Sequence, residues 1–426
     1  MKLTPYWLDT ATPSGDHRQN PVPERADIAI VGAGFTGLSA ALEAAKNGAS
    51  VVVLDQHTVG WGASGRNGGM ATTGLAIGLG KAIKRYGRDR AIEMFAEYNR
   101  AIDTIEDLIK ENSIDCDFER SGKLSLAMNA KQVDGMRKTQ QILADAADYS
   151  VRVVGKEDLH TEIGSDFYAG GMVDPLGAGM HVGKFAHGLA GAGTRAGVTI
   201  CEDAAVTELA DRAGGGHTVH TSRGTTQVDQ VLIATSGYTG SVTPWLRRRT
   251  IPVGSFIVVT EPLPQETVDR ILPNRRMAAD SKMLTYYFRI TPDNRLLFGG
   301  RARFALSSPD SDLKSAEILK DAMSTVFPYL SSTRIDYTWG GLVDLSMDRM
   351  VHAGQHKGIH YSLGYSGHGV QMAAYMGKQI ALSMVGKPSR NAWENLPYRA
   401  VPGHFGPPWF LPFIGGGAKI IDRFNS

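Results

Sequence analysis

The sequence has few cysteines, no excess of charge of one sign and no long apolar run. Its two cysteines, Cys116 and Cys201, lie far apart in 426 residues, which argues against a disulfide framework or a metal-binding pair. The formal net charge of +2 gives no broad basic field for a nucleic acid. No apolar segment approaches the ~18 residues of a membrane span, and residues 1–24 lack the apolar core of a signal peptide. These absences predict a cytoplasmic protein with no metal site, no nucleic-acid partner and no transmembrane span.

What the sequence does contain is glycine, at 50 positions, in a chain that is 42% hydrophobic and 21% charged. This composition is that of an ordinary globular protein. Because 426 residues are many for one hydrophobic core, we expect two domains. The high glycine content suits a fold with several tight turns that approach phosphate groups.

Residues 26–55 show the order strand, glycine turn, helix, strand, acid. The apolar run 27–31 leads directly into Gly32-Ala33-Gly34-Phe35-Thr36-Gly37, and a second apolar run ends at Asp55. In a dinucleotide-binding unit the first glycine allows the turn, the second leaves room for a pyrophosphate, and the third lets helix and strand pack closely. The helix N-terminus attracts phosphate, and the acid accepts a hydrogen bond from the adenosine ribose. The alternative is a glycine-rich turn of purely structural use.

Three later segments have the same small-residue character. Residues 60–69 form a glycine-rich stretch in which Arg66 and Asn67 offer hydrogen-bond donors. Residues 231–237 read as an apolar strand that runs into small residues, and residues 361–370 as a strand that enters a helix through a glycine turn. We expect the first to run close beside a ligand and the second to be another approach to the nucleotide. The third resembles the first glycine turn, with backbone N–H groups at a helix start facing an electron-rich group.

The second half of the chain contains longer β-stretches. Residues 284–290 and 295–300 flank Thr291-Pro292-Asp293-Asn294, which predicts a hairpin. Tyr286 and Tyr287 point to opposite faces of such a strand, so one aromatic row can line a cavity, although aromatic rows on strands more often belong to a core.

Together these segments resemble the D-amino-acid-oxidase-type FAD-dependent oxidoreductases, which include glycine and sarcosine oxidases, and within them the γ-glutamylputrescine oxidase-like branch. The resemblance is carried by residues 5–9, 63–69, 260–263, 297–300 and 364–370. It implies an α/β fold in which a Rossmann-like FAD-binding domain is interleaved with an α+β domain whose antiparallel sheet binds substrate. The implied boundaries are a leader at 1–26, an FAD-binding domain at 27–85, 150–245 and 335–395, a substrate domain at 86–149 and 246–334, and a C-terminal tail at 396–426 packing on the body.

The resemblance also implies FAD as cofactor. Some relatives attach flavin through a late cysteine, and because no cysteine follows Cys201 we expect the FAD to be non-covalent. The residues implied to contact it are Gly32, Ala33, Gly34, Phe35, Thr36, Gly37, Asp55, Gln56, Ala63, Ser64, Arg66, Asn67, Gly68, Gly69, Val206, Thr235, Gly237, Gly364, Gly367, His368, Gly369 and Val370.

The implied reaction is oxidation of an amine C–N bond: hydride transfer to flavin N5, hydrolysis of the imine, and reoxidation by O2 to H2O2. γ-Glutamylputrescine or a similar primary or secondary amine is the leading substrate, and its oxidation would be a step of polyamine catabolism. Three alternatives stay open: an N-methyl amino acid or amino acid as substrate, an electron acceptor other than O2, and a flavin-binding subunit without turnover. An NAD-dependent dehydrogenase is disfavoured, since only one credible glycine fingerprint is present. Nothing in the sequence predicts the oligomeric state.

Side-chain roles at the reacting end are hypotheses. His368 is expected beside the flavin ring as a proton acceptor or polarising donor; otherwise it only closes the start of its helix. Tyr286 and Tyr287 would shape an amine pocket, and Lys282 would assist oxygen reactivity. Arg301 and Arg303 would pair with a substrate carboxylate, unless they are simply solvated strand-end arginines.

Overall fold

The structure is a computed structural model that describes residues 1–300, 307–406 and 408–411. Its helices are α1 (Tyr6–Asp9), α2 (Phe35–Lys46), α3 (Leu79–Tyr86), α4 (Arg88–Asn112), α5 (Ala130–Ala147), α6 (Val182–Arg195), α7 (Pro244–Arg247), α8 (Gln265–Ile271), α9 (Pro309–Val326) and α10 (Gly369–Met384). Its strands are β1 (Arg25–Val31), β2 (Val51–Leu54), β3 (Met70–Ala71), β4 (Lys123–Ala127), β5 (Arg152–Val154), β6 (Gly170–Asp174), β7 (Ala178–Gly179), β8 (Thr199–Cys201), β9 (Val206–Asp211), β10 (His217–Thr221), β11 (Gly224–Ile233), β12 (Ile251–Thr260), β13 (Met277–Asp280), β14 (Tyr286–Ile290), β15 (Leu296–Gly300), β16 (Ile335–Leu345), β17 (His352–His356) and β18 (Ile359–Leu363).

The first sheet, called the parallel sheet below, has the order β17-β18-β11-β1-β2-β8. All pairs from β18 to β8 are parallel, while β17 adds antiparallel to β18 and the β9–β10 hairpin adds antiparallel to β11. Strands of a parallel sheet are covered on both faces, which explains the uninterrupted apolar runs in β1 and β2. This architecture confirms the predicted Rossmann-like half of the α/β fold.

Helices α2 and α10 pack side by side on this sheet, and both start at its carboxyl edge. α2 follows β1 and α10 follows β18, and these strands run in the same direction. Gly377 of α10 lies so close to α2 that an added Cβ would be 2.2 Å from Thr36 O. The N-termini of both helices therefore open at the same edge of the sheet.

The second sheet, called the mixed sheet below, has the order β16-β12-β15-β14-β13-β4-β6-β5. Its pairs are antiparallel except β13–β4. One face forms a core with α9, in which the rings of Phe256, Phe288 and Phe298 are fully buried. The predicted hairpin forms here, with β14 and β15 joined around residues 291–294.

The structure groups three parts of the chain differently from the predicted domain boundaries. β5 and β6, within 150–245, and β16, which starts at Ile335, belong to the mixed sheet and not to the FAD-binding half. α4, placed in the substrate domain from sequence, packs in the core shared with α2 and α10. A periodic pattern identifies a strand or a helix but not the sheet that it joins, and this is the physical reason for the difference.

The tail was predicted to pack on the body, and its described part does so at several points. Tyr398, Val401 and Leu411 are buried, whereas Phe405 and Trp409 are exposed. Residues 407 and 412–426 lie outside the described part of the chain.

Three further findings concern membrane spans, metal sites and cysteines. Within the described ranges, no helix is both long and apolar enough to cross a membrane. No cluster of three or more His, Cys, Asp or Glu side chains suited to a metal ion occurs among the same residues. Cys116 and Cys201 are both buried free thiols.

Candidate active site

A cavity of about 690 Å³ lies between the carboxyl edge of the parallel sheet and the mixed sheet. The first glycine turn, the acid at the tip of β2, residues 61–68 and the turn before α10 form one wall. A second wall comes from β4, β6, β12, β13, β14 and β16 of the mixed sheet. Ligands of open α/β sheets bind outside the carboxyl ends of the strands, which is where this cavity begins.

Glycine is needed at the three positions of the first turn for different steric reasons. Gly32 has φ +112°, and an added Cβ would lie 2.8 Å from Ala234 O; at Gly37 it would lie 1.9 Å from Gly32 O. The packing of the chain itself thus requires these two glycines. At Gly34 an added Cβ meets only Ser64 Oγ, at 2.8 Å, and the residue lines the cavity. The open side of Gly34, at the start of α2, fits a pyrophosphate.

Asp55 lies at the tip of β2 and lines the same wall. Its two carboxylate oxygens accept hydrogen bonds from the backbone N–H groups of Ala33 (2.7 Å) and His57 (2.8 Å). Burial raises the pKa of this carboxyl group, and the two backbone donors oppose that shift. Each oxygen keeps a further lone pair, so the group retains the acceptor capacity that a ribose hydroxyl requires.

The glycine-rich stretch 60–69 is held in shape by its own polar side chains. The Asn67 amide donates to Ala63 O (3.0 Å) and Ser64 O (2.9 Å) and accepts from Gly69 N (2.8 Å). Arg66 donates to the carbonyl groups of Trp61 and Gly340. Arg66 and Asn67, predicted from sequence as ligand donors, therefore also fix the loop.

The N-terminal leader supports this loop from outside. Trp7 is fully buried, and its indole Nε1 donates to Asn67 O at 2.7 Å. The guanidinium of Arg289, also buried, donates to Gly69 O and to Met180 O. From the sequence, the leader was identified only through the family resemblance. Its hydrogen bond from Trp7 to Asn67 O gives it a physical role, which is to support the loop.

The turn before α10 is tied to the first glycine turn. Thr36 Oγ1 and the hydroxyl group of Tyr365 are 2.7 Å apart, although the residues are separated by 329 positions in the chain. Asp344 accepts from Gly364 N at 2.8 Å, and burial raises the pKa of its carboxyl group to about 6. The structure thus brings together the two glycine turns that sequence analysis assigned to one ligand.

His368 lines the cavity at the residue before α10. Its Nδ1 is 3.4 Å from Thr72 Oγ1, and its ring packs edge-to-face on Tyr98. Burial, together with the positive charges of Lys123 and Arg349, lowers the pKa of the imidazole to about 3. The ring is therefore neutral at pH 7, and its side chain does not cap the helix by a hydrogen bond.

The other residues predicted at the reacting end lie in different places. Tyr287 faces the cavity with its hydroxyl 2.9 Å from Ser255 Oγ. Tyr286 packs on Phe298 on the opposite face of β14, as strand alternation requires, and the Lys282 ammonium lies over the Tyr286 ring at 4.3 Å. Neither Tyr286 nor Lys282 lines the cavity. Arg301 and Arg303 fall outside the described residues.

Most residues predicted to contact FAD line the cavity. The exceptions are glycines that serve the turns: Gly37, Gly69, Gly237 and Gly364. The polar residues of the mixed-sheet wall were not predicted from sequence; they include Lys123, Ser125, Asp174, Ser255, Asp280 and Asp344. In β4 polar and apolar residues alternate from Lys123 to Leu126, and this alternation was the available signal.

Comparison with known proteins agrees with this geometry. Residues 27–382 match the DAO family model, described as FAD dependent oxidoreductase. The chain belongs to this family. FAD is therefore its cofactor, and the protein is an FAD-dependent oxidoreductase.

Relatives of this DAO-family chain match it over most of its length. The probable oxidoreductase OrdL of Haemophilus influenzae is 34% identical over 89% of this chain and 88% of the relative. The gamma-glutamylputrescine oxidoreductase of Escherichia coli is 33% identical over 94% and 93%, respectively. The crystal structure of glycine oxidase from Geobacillus kaustophilus superposes with a TM-score of 0.73 at 20% identity, covering 90% of this chain and all of that one, which shows a shared fold.

Proposed function

We propose that this DAO-family flavoprotein oxidises a C–N bond of a small amine, with γ-glutamylputrescine or a similar primary or secondary amine as substrate and O2 as electron acceptor. The observation that carries the proposal is the cavity, which runs from the glycine turns that suit a dinucleotide to a separate wall of side chains suited to a second, smaller ligand. The substrate follows from the similarity to gamma-glutamylputrescine oxidoreductase.

FAD, when bound, supplies the two-electron sink that accepts a hydride from the carbon next to the amine nitrogen. In this proposal Gly34 and the start of α2 hold the pyrophosphate, and Asp55 holds the ribose. The N-terminus of α10 points its free N–H groups and its positive dipole end at the cavity, which stabilises negative charge that develops there.

The amine must be uncharged before its α-carbon can lose a hydride. The neutral imidazole of His368 forms a hydrogen bond with the amine nitrogen and orients it without presenting a positive charge to it. A group with a pKa of about 3 is a weak base, so His368 is assigned orientation and not the permanent uptake of the proton. The Tyr287 hydroxyl, paired with Ser255, belongs to the mixed-sheet wall of the same cavity.

An apolar section of the cavity suits the methylene chain of a polyamine derivative. This section is lined by side chains from three helices or their flanking segments and from β6: Leu75, Leu79, Phe95, Leu143 and Met172. Removing such a chain from water is favourable by ~0.8 kcal/mol for each buried methylene.

The experiment is anaerobic mixing of the FAD-loaded protein with a panel of γ-glutamylputrescine, putrescine, sarcosine and glycine. We expect γ-glutamylputrescine to bleach the visible flavin band fastest, and admitted O2 to restore it with stoichiometric H2O2. A protein that dithionite bleaches but no amine does would contradict the proposal. Bleaching by an amine without reoxidation by O2 would retain the substrate and assign a different electron acceptor.

The proposed compartment is the cytoplasm. Both cysteines are buried free thiols, as is usual for proteins kept in a reducing environment. Fractionation of the native host with an antibody tests this, and recovery in a membrane or secreted fraction would contradict it.

A further inference from the structure

The mixed-sheet wall of the cavity carries a lysine. Lys123 is the first residue of β4, where it lies opposite Asp174 of β6 and Met277 of β13. Ser125, two residues further along, and Met172, its partner on β6, line the cavity with it. Among the described lining residues Lys123 is the only lysine.

The ammonium group of Lys123 makes no hydrogen bond or ion pair with any residue in the described ranges, and only the charge of Asp174 acts on it favourably. Asp174 is buried, but its carboxylate already accepts from Thr73 Oγ1, the Tyr149 hydroxyl and Leu176 N. Three neutral donors thus satisfy Asp174, and among the described residues the lysine head group has no hydrogen-bond partner.

The surroundings of Lys123 make a hydrogen-bond partner for its ammonium group energetically favourable. The neighbouring cavity wall is the apolar section defined above, and burial lowers the pKa of Lys123 because the charged form loses its water. The other cationic side chains on the described wall differ: Arg66 donates to two carbonyl groups, and Arg349 is exposed. A desolvated ammonium without a partner is costly, and a carboxylate brought by a ligand removes that cost through a charge-assisted hydrogen bond.

We propose that Lys123 binds a carboxylate group of the substrate, so that the cavity selects amines whose chain also carries an anionic group. The inference rests on the proposed function for the identity of the amine, but the carboxylate site itself does not depend on turnover. Lys123 is in this view a specificity residue: its removal weakens binding of the anionic end and leaves the chemical step nearly unchanged.

The first experiment measures binding alone. Glutarate and its uncharged analogue glutaramide are titrated into the FAD-loaded wild type, Lys123→Met and Lys123→Arg by calorimetry. We expect Lys123→Met to weaken glutarate binding about 10- to 100-fold, Lys123→Arg to recover part of it, and glutaramide to bind weakly to all three. Lys131→Met, an exposed lysine in the first turn of α5, is the matched control and should bind glutarate like the wild type.

The second experiment measures the reaction. Anaerobic flavin reduction is followed with γ-glutamylputrescine and with its analogue in which the carboxylate is a carboxamide. Lys123→Met should raise the half-saturating concentration of the carboxylate substrate about 10- to 100-fold, keep the limiting rate within about twofold, and leave the carboxamide unaffected.

The two proposals fail in different ways. If glutarate binds equally well to wild type and Lys123→Met, with FAD content normal in both, the carboxylate site is wrong whether or not any amine is oxidised. A lower limiting rate with unchanged saturation for both substrates would place Lys123 in the chemical step and also overturn it. If glutarate binding depends on Lys123 but no amine bleaches the flavin, the site stands and the proposed reaction falls.

Discussion

The two walls of the cavity are built in different ways. The parallel-sheet wall consists mainly of backbone: the turns at residues 32–37 and 364–370 and the starts of two helices. The mixed-sheet wall consists of side chains such as Lys123, Ser255 and Tyr287, which come from strands far apart in the chain. Main-chain N–H groups recognise phosphate in any sequence that can form the turn, whereas side chains can change without altering the strand. In the proposed function, cofactor binding is therefore a property of the turns, and substrate choice is a property of individual residues on the other wall.

The largest effect is expected from Gly34→Val on the backbone wall. The valine side chain would occupy the space proposed for the pyrophosphate, next to Ser64 Oγ, and should weaken FAD binding about 100-fold. The flavin-to-protein ratio after gel filtration measures this. Gly135→Val, at an α5 position where an added Cβ meets nothing within 4 Å, is the control. Normal flavin content in Gly34→Val would place the pyrophosphate elsewhere.

His368→Ala tests the point at which the two walls meet. We expect flavin to be retained, because the side chain does not cap α10, and anaerobic reduction by amine to slow about 10- to 100-fold. Since the imidazole pKa is about 3, the ring stays neutral and the ratio of wild-type to variant rates should not change between pH 6 and pH 9. His160→Ala, an exposed histidine, is the control. An unchanged rate would leave His368 a structural role only.

Asp344→Asn tests how the buried carboxyl group of Asp344, which accepts a hydrogen bond from Gly364 N, changes the free energy of unfolding with pH. The folded pKa of about 6 lies above the unfolded value of 3.8, so the folded state holds the proton more tightly and unfolding becomes easier as pH rises from 4 to 6. About two pKa units correspond to about 3 kcal/mol, and the asparagine variant lacks this slope. Urea unfolding of the FAD-loaded proteins at pH 4, 5 and 7 should show the variant gaining that amount relative to wild type. Asp148→Asn, at an exposed aspartate, should follow the wild type. If the difference in unfolding free energy between variant and wild type stays constant from pH 4 to pH 7, the raised pKa of Asp344 is wrong.

Tyr287→Phe gives the smallest expected effect and tests the side-chain wall. Loss of the hydrogen bond to Ser255 should raise the half-saturating amine concentration about two- to fivefold. Tyr286→Phe removes the same atom from the opposite face of β14 and should leave amine oxidation unchanged. Steady-state kinetics with γ-glutamylputrescine measures both. Equal effects of the two substitutions would show that the faces of β14 are not separated as the structure has them.

Local sequence predicted the backbone wall because its requirements are local. The steric need for Gly37, whose added Cβ would lie 1.9 Å from Gly32 O, arises within one turn, and the order strand, turn, helix, strand, acid is complete between residues 26 and 55. The hairpin at β14–β15 was predicted for the same reason, since turn residues report on neighbours in the chain. The pairing of the early and late glycine turns was predicted only through the family resemblance.

Of the residues of the side-chain wall, Tyr287 was predicted and the others were not, because strand pairing decides which residues share this wall. Lys123 faces Asp174 only because β4 pairs with β6, and Tyr287 reaches Ser255 because β14 and β12 both flank β15. Lys282, chosen from sequence as a functional cation, lies over aromatic rings outside the cavity, while Lys123 passed unnoticed.

The sequence alone determined the cofactor-binding unit, which is complete between residues 26 and 55, and short motifs spread along the chain indicated the family and hence FAD. The tertiary structure decided which sheet each strand joins, which face of β14 meets the cavity and which lysine lines it. These depend on contacts between distant segments, where burial and register, and not local pattern, select the neighbours.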